Sequence, residues 1–281
     1  MERRYMGIWT LTVTLGVPVG PLIFGFVTNR TGYRWIFWAL AIFNGAQFIL
    51  YLFGLRPVTF PATRTNPTPL KLSEFYHPLT LFLRPAVAIP AFAYAMVFLF
   101  GSVLITVEVP QLLQQKFNLN AEQLGLQFLG VIIGTILGEQ IGGSASDIWM
   151  ARRARRLHSP KPGPEFRLWL SYPGVILTII GVVIFLVAPI VGTGVAAIGN
   201  QLVTTVLVTY AVDSYPEDSG SVGVFVTFVR QIWGFIGPFW FPDMFNNVGI
   251  AASSGIAGGL MFVFSFLLVM PVHVLGSKWR G

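Results

Sequence analysis

Two charged side chains stand alone inside long apolar stretches, and they are the residues best placed to do chemistry. Arg230 is the only charged residue within 219–241, and Glu139 is the only one within 123–142. A charge in such surroundings is costly, so it faces a cavity or a partner and often marks a solute or proton path. For Arg230 the sequence leaves open a cavity-facing role and a structural tie to carbonyls freed near Pro238. For Glu139 it leaves open a proton site and a gating latch.

Uncharged polar side chains in other apolar stretches could line the same path. Each could equally form a hydrogen bond between neighbouring helices, and the sequence does not decide between the two roles. These side chains are Asn200, Gln201 and Gln47. Candidate carboxylate partners for Arg230 are Glu139 and Glu108, although both lie nearer to the ends of their stretches than Arg230 does.

Other kinds of site have no support in the sequence. There is no cysteine, and the three histidines form no ligand motif. Neither a glycine-rich phosphate loop nor a nucleophile triad is present. We therefore expect no metal, no cofactor and no enzymatic activity.

The composition explains what must hold these residues. Of the 281 residues, 54% are hydrophobic and 10% are charged, whereas soluble domains carry roughly 25% charged residues. A helix crosses a bilayer with about 20 apolar residues. Eight stretches meet that length: 6–27, 35–54, 85–107, 123–142, two within 168–212 separated by a turn at 189–194, 219–241 and 250–272. The sequence predicts an all-α polytopic membrane protein.

The distribution of basic residues predicts the orientation of these helices. With both termini in the cytoplasm, 14 Lys and Arg residues fall in cytoplasmic segments and 3 in external ones, as the positive-inside rule requires. The net charge of +7 therefore indicates membrane topology and no nucleic-acid partner. The polar, proline-rich stretch 55–84 is predicted to be a cytoplasmic loop between a two-helix unit, 1–54, and a six-helix unit, 85–281.

Two motifs have a specific spacing. The first combines four glycines with a proline, and Phe24 stands where its pattern would continue with glycine; its members are Gly7, Gly16, Gly20, Pro21 and Gly25. The second has a glycine and an aspartate four residues apart, followed by basic residues; its members are Gly143, Asp147, Arg152 and Arg153.

These motifs resemble those of a known family. The first resembles the antiporter motif that drug:proton antiporters of the major facilitator superfamily carry on their fifth transmembrane helix. The second resembles in part the family's loop signature between helices eight and nine. The stretch 211–240 resembles the helix 10–11 region of fungal multidrug and polyamine-type facilitators. The resemblance implies that the eight predicted helices correspond to helices 5–12 of a twelve-helix fold, so we expect an N-terminally truncated chain.

The resemblance also implies a function. We expect secondary active export of small organic solutes, drug-like or cationic, in exchange for protons, with alternating access between two halves. The expected partners are the lipid bilayer, the solute and protons, and the expected location is the plasma membrane. Asp147 would act as a gate latch by binding the N-terminus of a neighbouring helix. The alternative is a non-transporting truncated protein that binds or regulates a full-length transporter.

Glycines also predict a contact between helices. Gly130, Gly134 and Gly138 recur every four residues and so share one helix face, which lets another helix approach closely. Gly16 and Gly20 share a face in the same way. The family resemblance implies that these two smooth faces lie against each other at the junction of the halves, so we expect them to form a hinge and seal.

Overall fold

The computed structural model describes residues 2–54, 77–157, 163–185 and 188–279, which are almost wholly helical and contain no β-strand. Seven stretches of these residues are long and apolar enough to cross a membrane, and α1 covers the first predicted stretch. The predicted all-α polytopic fold is confirmed. The helices in chain order are α1 Glu2–Thr31, α2 Arg34–Gly54, α3 Pro85–Phe98, α4 Leu104–Phe117, α5 Ala121–Leu157, α6 Ser171–Ile184, α7 Pro189–Ser214, α8 Ser219–Val248, α9 Ile250–Met261 and α10 Val269–Trp279.

Two of the crossings contain a π-helical segment. Leu99–Val103 joins α3 to α4, and Phe262–Leu267 leads from α9 toward α10. Each such segment interrupts the ordinary helical register, and π-helical insertions of this kind are frequent at functional sites. The sequence analysis did not predict either of them.

Three boundaries differ from the prediction. Helix α7 begins at Pro189, a position that tolerates proline, so the turn predicted at 189–194 does not form there. Gly192 and Gly194 therefore lie inside α7 and not in the turn. Helix α5 runs on to Leu157, since nothing proline-like interrupts it. Helix α8 runs through Pro238 and Pro242 to Val248, so the predicted external loop 242–249 is largely helical.

Helix α7 lies at the centre of the packing. It contacts α5 on one side and α6 on another, and α3 packs against both α7 and α8. Helix α1 packs along α5, whereas α2 contacts chiefly α1 and exposes most of its surface. Residues 55–76 of the predicted loop lie outside the described residues.

The buried apolar side chains form two clusters. One surrounds Tyr210, Phe225 and Val175, where α3, α6, α7 and α8 meet. The other surrounds Phe100, Phe241 and Met261 and includes the π-helical segment of α3–α4. The polar groups described next lie beside these clusters, so they are held by a packed apolar frame.

Candidate functional site

Glu139 and its two donors form a polar cluster between α5 and α7. Its Oε2 accepts a hydrogen bond of 2.6 Å from Gln201 Nε2 and one of 3.0 Å from Thr205 Oγ1. Gln201 is 1% exposed, and Glu139 is half-buried. Gln201 and Thr205 are four residues apart on one face of α7, so both side chains reach the same carboxylate.

Two amide oxygens near this cluster are buried without a hydrogen-bond partner among the described residues. They belong to Gln201 and to Asn200, which is 9% exposed. Asn200 lies against the π-helical segment: a Cβ added at Gly101 would come within 3.2 Å of Asn200 Cβ. Buried carbonyl oxygens normally have a partner, so these two acceptors are available for a proton donor.

Arg230 is placed in the middle of α8 and faces α3. Its Nη1 donates a hydrogen bond of 3.2 Å to Tyr94 Oη, and its guanidinium carbon lies 4.8 Å from the centre of the Phe98 ring. Its Nε is buried without an acceptor among the described residues. Neither Glu139 nor Glu108 forms an ion pair with it in the described part of the chain. The pairing considered from the sequence is therefore not formed.

Gln47 is not brought to these groups. Its Nε2 donates to Tyr51 Oη at 3.2 Å within the same helix, and both side chains are exposed on α2. Asn44, one turn earlier, likewise donates to its own helix, at Leu40 O. The structure thus joins Glu139 to Gln201, places Asn200 against the π-helical segment and Arg230 against α3, and leaves Gln47 apart.

The second motif lies in a helix and not in a loop. Gly143, Asp147, Arg152 and Arg153 all belong to α5, which continues past them. Asp147 is exposed, and no described residue forms a hydrogen bond or ion pair with it. The structure therefore does not bring Asp147 to a helix N-terminus. Arg153 instead lies over the Phe166 ring at 4.9 Å, and Trp149 stacks on the same ring.

The first motif contacts α5 directly at Gly25. A Cβ added at Gly25 would lie 2.6 Å from Ala121 O and 3.1 Å from Gly125 Cα, so the two backbones touch there. A Cβ added at Gly125 would in turn lie 3.0 Å from Pro21 O. Gly16 and Gly20 have open space around them, and Gly7 lies near the start of the same helix.

The glycine stripe of α5 packs against α7, so the predicted seal with Gly16 and Gly20 is wrong. Added Cβ atoms would clash with backbone carbonyls of α7 in each case: Gly130 with Ile190 O, Gly134 with Gly194 O and Gly138 with Ile198 O. The stripe is a packing surface, but its partner is a helix that is itself rich in small residues. Helix α1 meets α5 on a different face, through Gly25 and Gly125.

Comparison with known proteins adds the family. A model of the Major Facilitator Superfamily matches residues 2–238 of this chain. The chain belongs to the Major Facilitator Superfamily. The family expected from the two motifs is therefore confirmed, and the chain is an integral membrane protein.

The relatives of this major facilitator chain are fungal. It is 29% identical to the MFS-type transporter hepF of Aspergillus oryzae, over 96% of this chain and 62% of that protein. It is 26% identical to the efflux pump radE of Floropilus chiversii, over 98% and 57%, and 23% identical to the probable efflux pump mfs2 of Aspergillus flavus, over 99% and 72%. All three are named as transporters or pumps and not as enzymes, as predicted for this chain. No solved structure matches it.

The chain spans about 60% of the length of the first two of these relatives. We therefore treat the solute of the complete protein as a proposal that rests on the residues described above.

Several polar contacts of this major facilitator chain were missed from the sequence. Tyr94 and Phe98 enclose Arg230, and Thr205 completes the Glu139 cluster. The signal for Thr205 was its four-residue spacing from Gln201. Tyr94 gave none, because a lone tyrosine in an apolar helix usually lies in the core or at the interface.

A second missed cluster connects the start of α3 to the start of α8. Arg84 Nη1 donates to Asp218 Oδ2 at 3.1 Å, and the Arg84 guanidinium lies over the Tyr215 ring at 4.6 Å. His77 Nδ1 and Ser221 Oγ are hydrogen-bonded at 3.2 Å. A third missed contact joins α1 to α5, where Asn29 Nδ2 donates to Glu122 Oε2 at 3.1 Å.

Proposed function

We propose that the complete protein exports small organic solutes across a membrane in exchange for protons, and that Glu139 carries the proton. The observation that supports this best is the Glu139 carboxylate, held inside the helix bundle by Gln201 and Thr205. Its membership of the Major Facilitator Superfamily and the relatives named as efflux pumps support transport out of the cell. The comparisons do not favour the alternative of a non-transporting partner.

The Glu139 cluster can hold either protonation state. An ionised carboxylate only accepts hydrogen bonds, whereas a protonated one also donates a hydrogen bond. The unpartnered Gln201 Oε1 provides an acceptor for that proton if the amide turns over. Protonation and amide turnover would then shift α5 relative to α7, whose backbones touch along the glycine stripe. A small chemical change would thus act on a close-packed helix pair.

The domain division and orientation enter this proposal as well. We place the loop 55–84 and both termini in the cytoplasm on the 14-to-3 excess of basic residues, and we place the protein in the plasma membrane. The units 1–54 and 85–281 would rock against each other where α1 meets α5, at Gly25 and Gly125. In this orientation the Asn29–Glu122 hydrogen bond would lie at the external end of that contact.

Proton coupling can be tested in proteoliposomes. The 281-residue chain and the longest product of its gene are each reconstituted with the pH dye pyranine inside, and ethidium or 2-naphthoate is supplied as solute. We expect solute gradients to move protons with the wild type, and Glu139→Gln to abolish this coupling, since an amide cannot take up the proton. The matched control is Glu217→Gln, because Glu217 is exposed.

Coupled proton movement that persists in Glu139→Gln would remove Glu139 from the proposal. Solute movement without any proton movement in the wild type would remove proton exchange but keep transport. Binding of the same solutes by both variants shows that any loss arises in coupling and not in folding.

A further inference from the structure

We infer that Arg230 recognises an acidic group on the transported solute, so the binding site takes organic anions in preference to cations. This rests on the proposed transport function and departs from the cationic class among the drug-like or cationic solutes that the family resemblance implied. The inference is carried by the charges and hydrogen bonds around Arg230.

Arg230 is a charged side chain without a counter-charge among the described residues. Arg230 is the twelfth residue of α8, which places it near the middle of a membrane-crossing helix. Carboxylates elsewhere in the described part of the bundle are engaged or distant: Glu139 is bound by Gln201 and Thr205, and Glu108 lines a separate small cavity with Ser253 and Met244. No described carboxylate lies within ion-pair distance of Arg230. Its charge is therefore not neutralised by this part of the chain.

The Arg230 guanidinium has more hydrogen-bond donors than it has acceptors among the described residues. A guanidinium carries five N–H donors. Among the described residues, Arg230 has one acceptor, the neutral Tyr94 hydroxyl. Its Nε is buried and unpaired. Most of the donor capacity of this side chain is thus unused, and a carboxylate is the group that satisfies a guanidinium best, through two parallel N–H···O bonds.

Aromatic side chains of α3 lie against the Arg230 guanidinium. Tyr94 and Phe98 are one turn apart on α3, and the Phe98 ring lies beneath the guanidinium. Trp233 lies three residues further along α8 from Arg230 and packs against both apolar clusters. Two aromatic side chains, Tyr94 and Phe98, therefore contact the charged group, and aromatic surroundings suit the ring of an aromatic acid. The π-helical segment begins directly after Phe98, so the backbone there departs from regular helix.

The charge of Arg230 acts in opposite directions on cationic and anionic solutes. A cationic solute beside Arg230 would bring two like charges together where no described carboxylate offsets them. An anionic solute would neutralise the one intramembrane cation of α8. The same side chain therefore attracts one class and repels the other.

The test uses three probes that share one ring system and differ in charge: 2-naphthoate, 2-naphthylmethanol and 2-naphthylmethylammonium. Binding is measured by equilibrium dialysis against the 281-residue chain in phosphatidylcholine nanodiscs, with empty nanodiscs as the blank. A zwitterionic lipid avoids surface potentials that would sort the probes by charge. We expect naphthoate to bind about tenfold more tightly than the alcohol, and the ammonium to bind most weakly.

The variants ask whether Arg230 causes this order. Arg230→Gln should reduce naphthoate affinity by about tenfold and bring the three probes close together. Arg230→Lys should keep the order of the probes, because it keeps the charge, but should bind naphthoate more weakly than the wild type, because an ammonium cannot form the two parallel bonds. Arg155→Gln is the matched control, since Arg155 is exposed near the end of α5. The wild-type order needs no variant, so it remains informative if Arg230→Gln fails to fold.

Equal or tighter binding of the ammonium probe by the wild type overturns the inference, and so does failure of naphthoate to bind. Unchanged naphthoate affinity in Arg230→Gln also overturns it. The proposed transport function fails on other results: naphthoate that binds through Arg230 but is never moved across the membrane contradicts transport and leaves this inference standing. Export of ethidium that is unchanged in Arg230→Gln supports transport and contradicts this inference.

Discussion

At the scale of single residues, the polar groups of this bundle differ in how completely they are satisfied. Glu139 has two hydrogen-bond donors, whereas Asn200 and Gln201 each keep a buried oxygen without a partner among the described residues. A buried polar group that loses its partner costs more than the bond itself contributed, because its desolvation is no longer offset. The Glu139–Gln201 bond should therefore be measurable by a double-mutant cycle.

We predict that Gln201→Leu lowers the free energy of unfolding by about 1–3 kcal/mol, since it leaves the Glu139 carboxyl group with one donor. The double mutant with Glu139→Leu should lose less free energy of unfolding than the sum of the two single losses, by about 1–2 kcal/mol. Unfolding is followed by circular dichroism in detergent micelles of rising sodium dodecyl sulfate content. Gln47→Leu, on the exposed face of α2, is the control and should change stability by no more than about 0.5 kcal/mol. Strict additivity would show that the 2.6 Å bond contributes nothing.

At the scale of helices, close packing decides which glycines matter. Along α5, a Cβ at Gly134 would meet Gly194 O and Ala197 Cβ on α7, whereas a Cβ at Gly143 would meet nothing within 4 Å. The two positions belong to one helix and differ only in what faces them, so they form a natural pair.

We predict that Gly134→Ala destabilises the protein by about 1–3 kcal/mol, because α5 must move away from α7 to admit the methyl group. Gly143→Ala should be neutral or stabilising by up to about 1 kcal/mol, since alanine is the better helix former and has room. The same unfolding assay measures both. Equal effects at the two positions would contradict the packing described here.

A second pair tests the contact between α1 and α5. Gly25→Ala should weaken it, because the new Cβ would lie 2.6 Å from Ala121 O, whereas Gly20→Ala enters open space. We expect a loss of about 1–3 kcal/mol for the first and little change for the second. Thermal unfolding in detergent, monitored at two wavelengths, makes the comparison. A larger loss at Gly20 would favour the seal that the sequence had suggested.

The helices themselves could be predicted from the sequence, because their apolar stretches match the thickness of a bilayer. Their partners could not. The four-residue spacing of Gly130, Gly134 and Gly138 establishes a smooth face but does not say which helix covers it, and the covering helix, α7, shows no comparable signal in its own spacing. Arg230 was found from its isolation in an apolar stretch. Its neighbours Tyr94 and Phe98 lie more than 130 residues away in the chain, and only the fold brings them to it.

At the scale of the whole molecule, orientation in the membrane rests on the distribution of Lys and Arg. We predict that an impermeant maleimide added to intact cells labels Asn247→Cys, near the end of α8 that this orientation puts outside, and does not label Arg155→Cys, near the end of α5 that it puts in the cytoplasm. Both side chains are exposed, and the chain has no cysteine of its own, so each label reports one site. Permeabilised cells should give labelling at both sites. The reverse pattern in intact cells would invert the topology.

The length of α5 has a mechanical consequence. Its 37 residues extend about 56 Å at 1.5 Å per residue, nearly twice the hydrocarbon thickness of about 30 Å. A rigid rod of that length that tilts by about 10° around its midpoint moves each tip by about 5 Å. A spin label at Arg155, close to one tip, should therefore resolve a tilt of α5 that leaves Glu139, at the midpoint of the helix, almost in place.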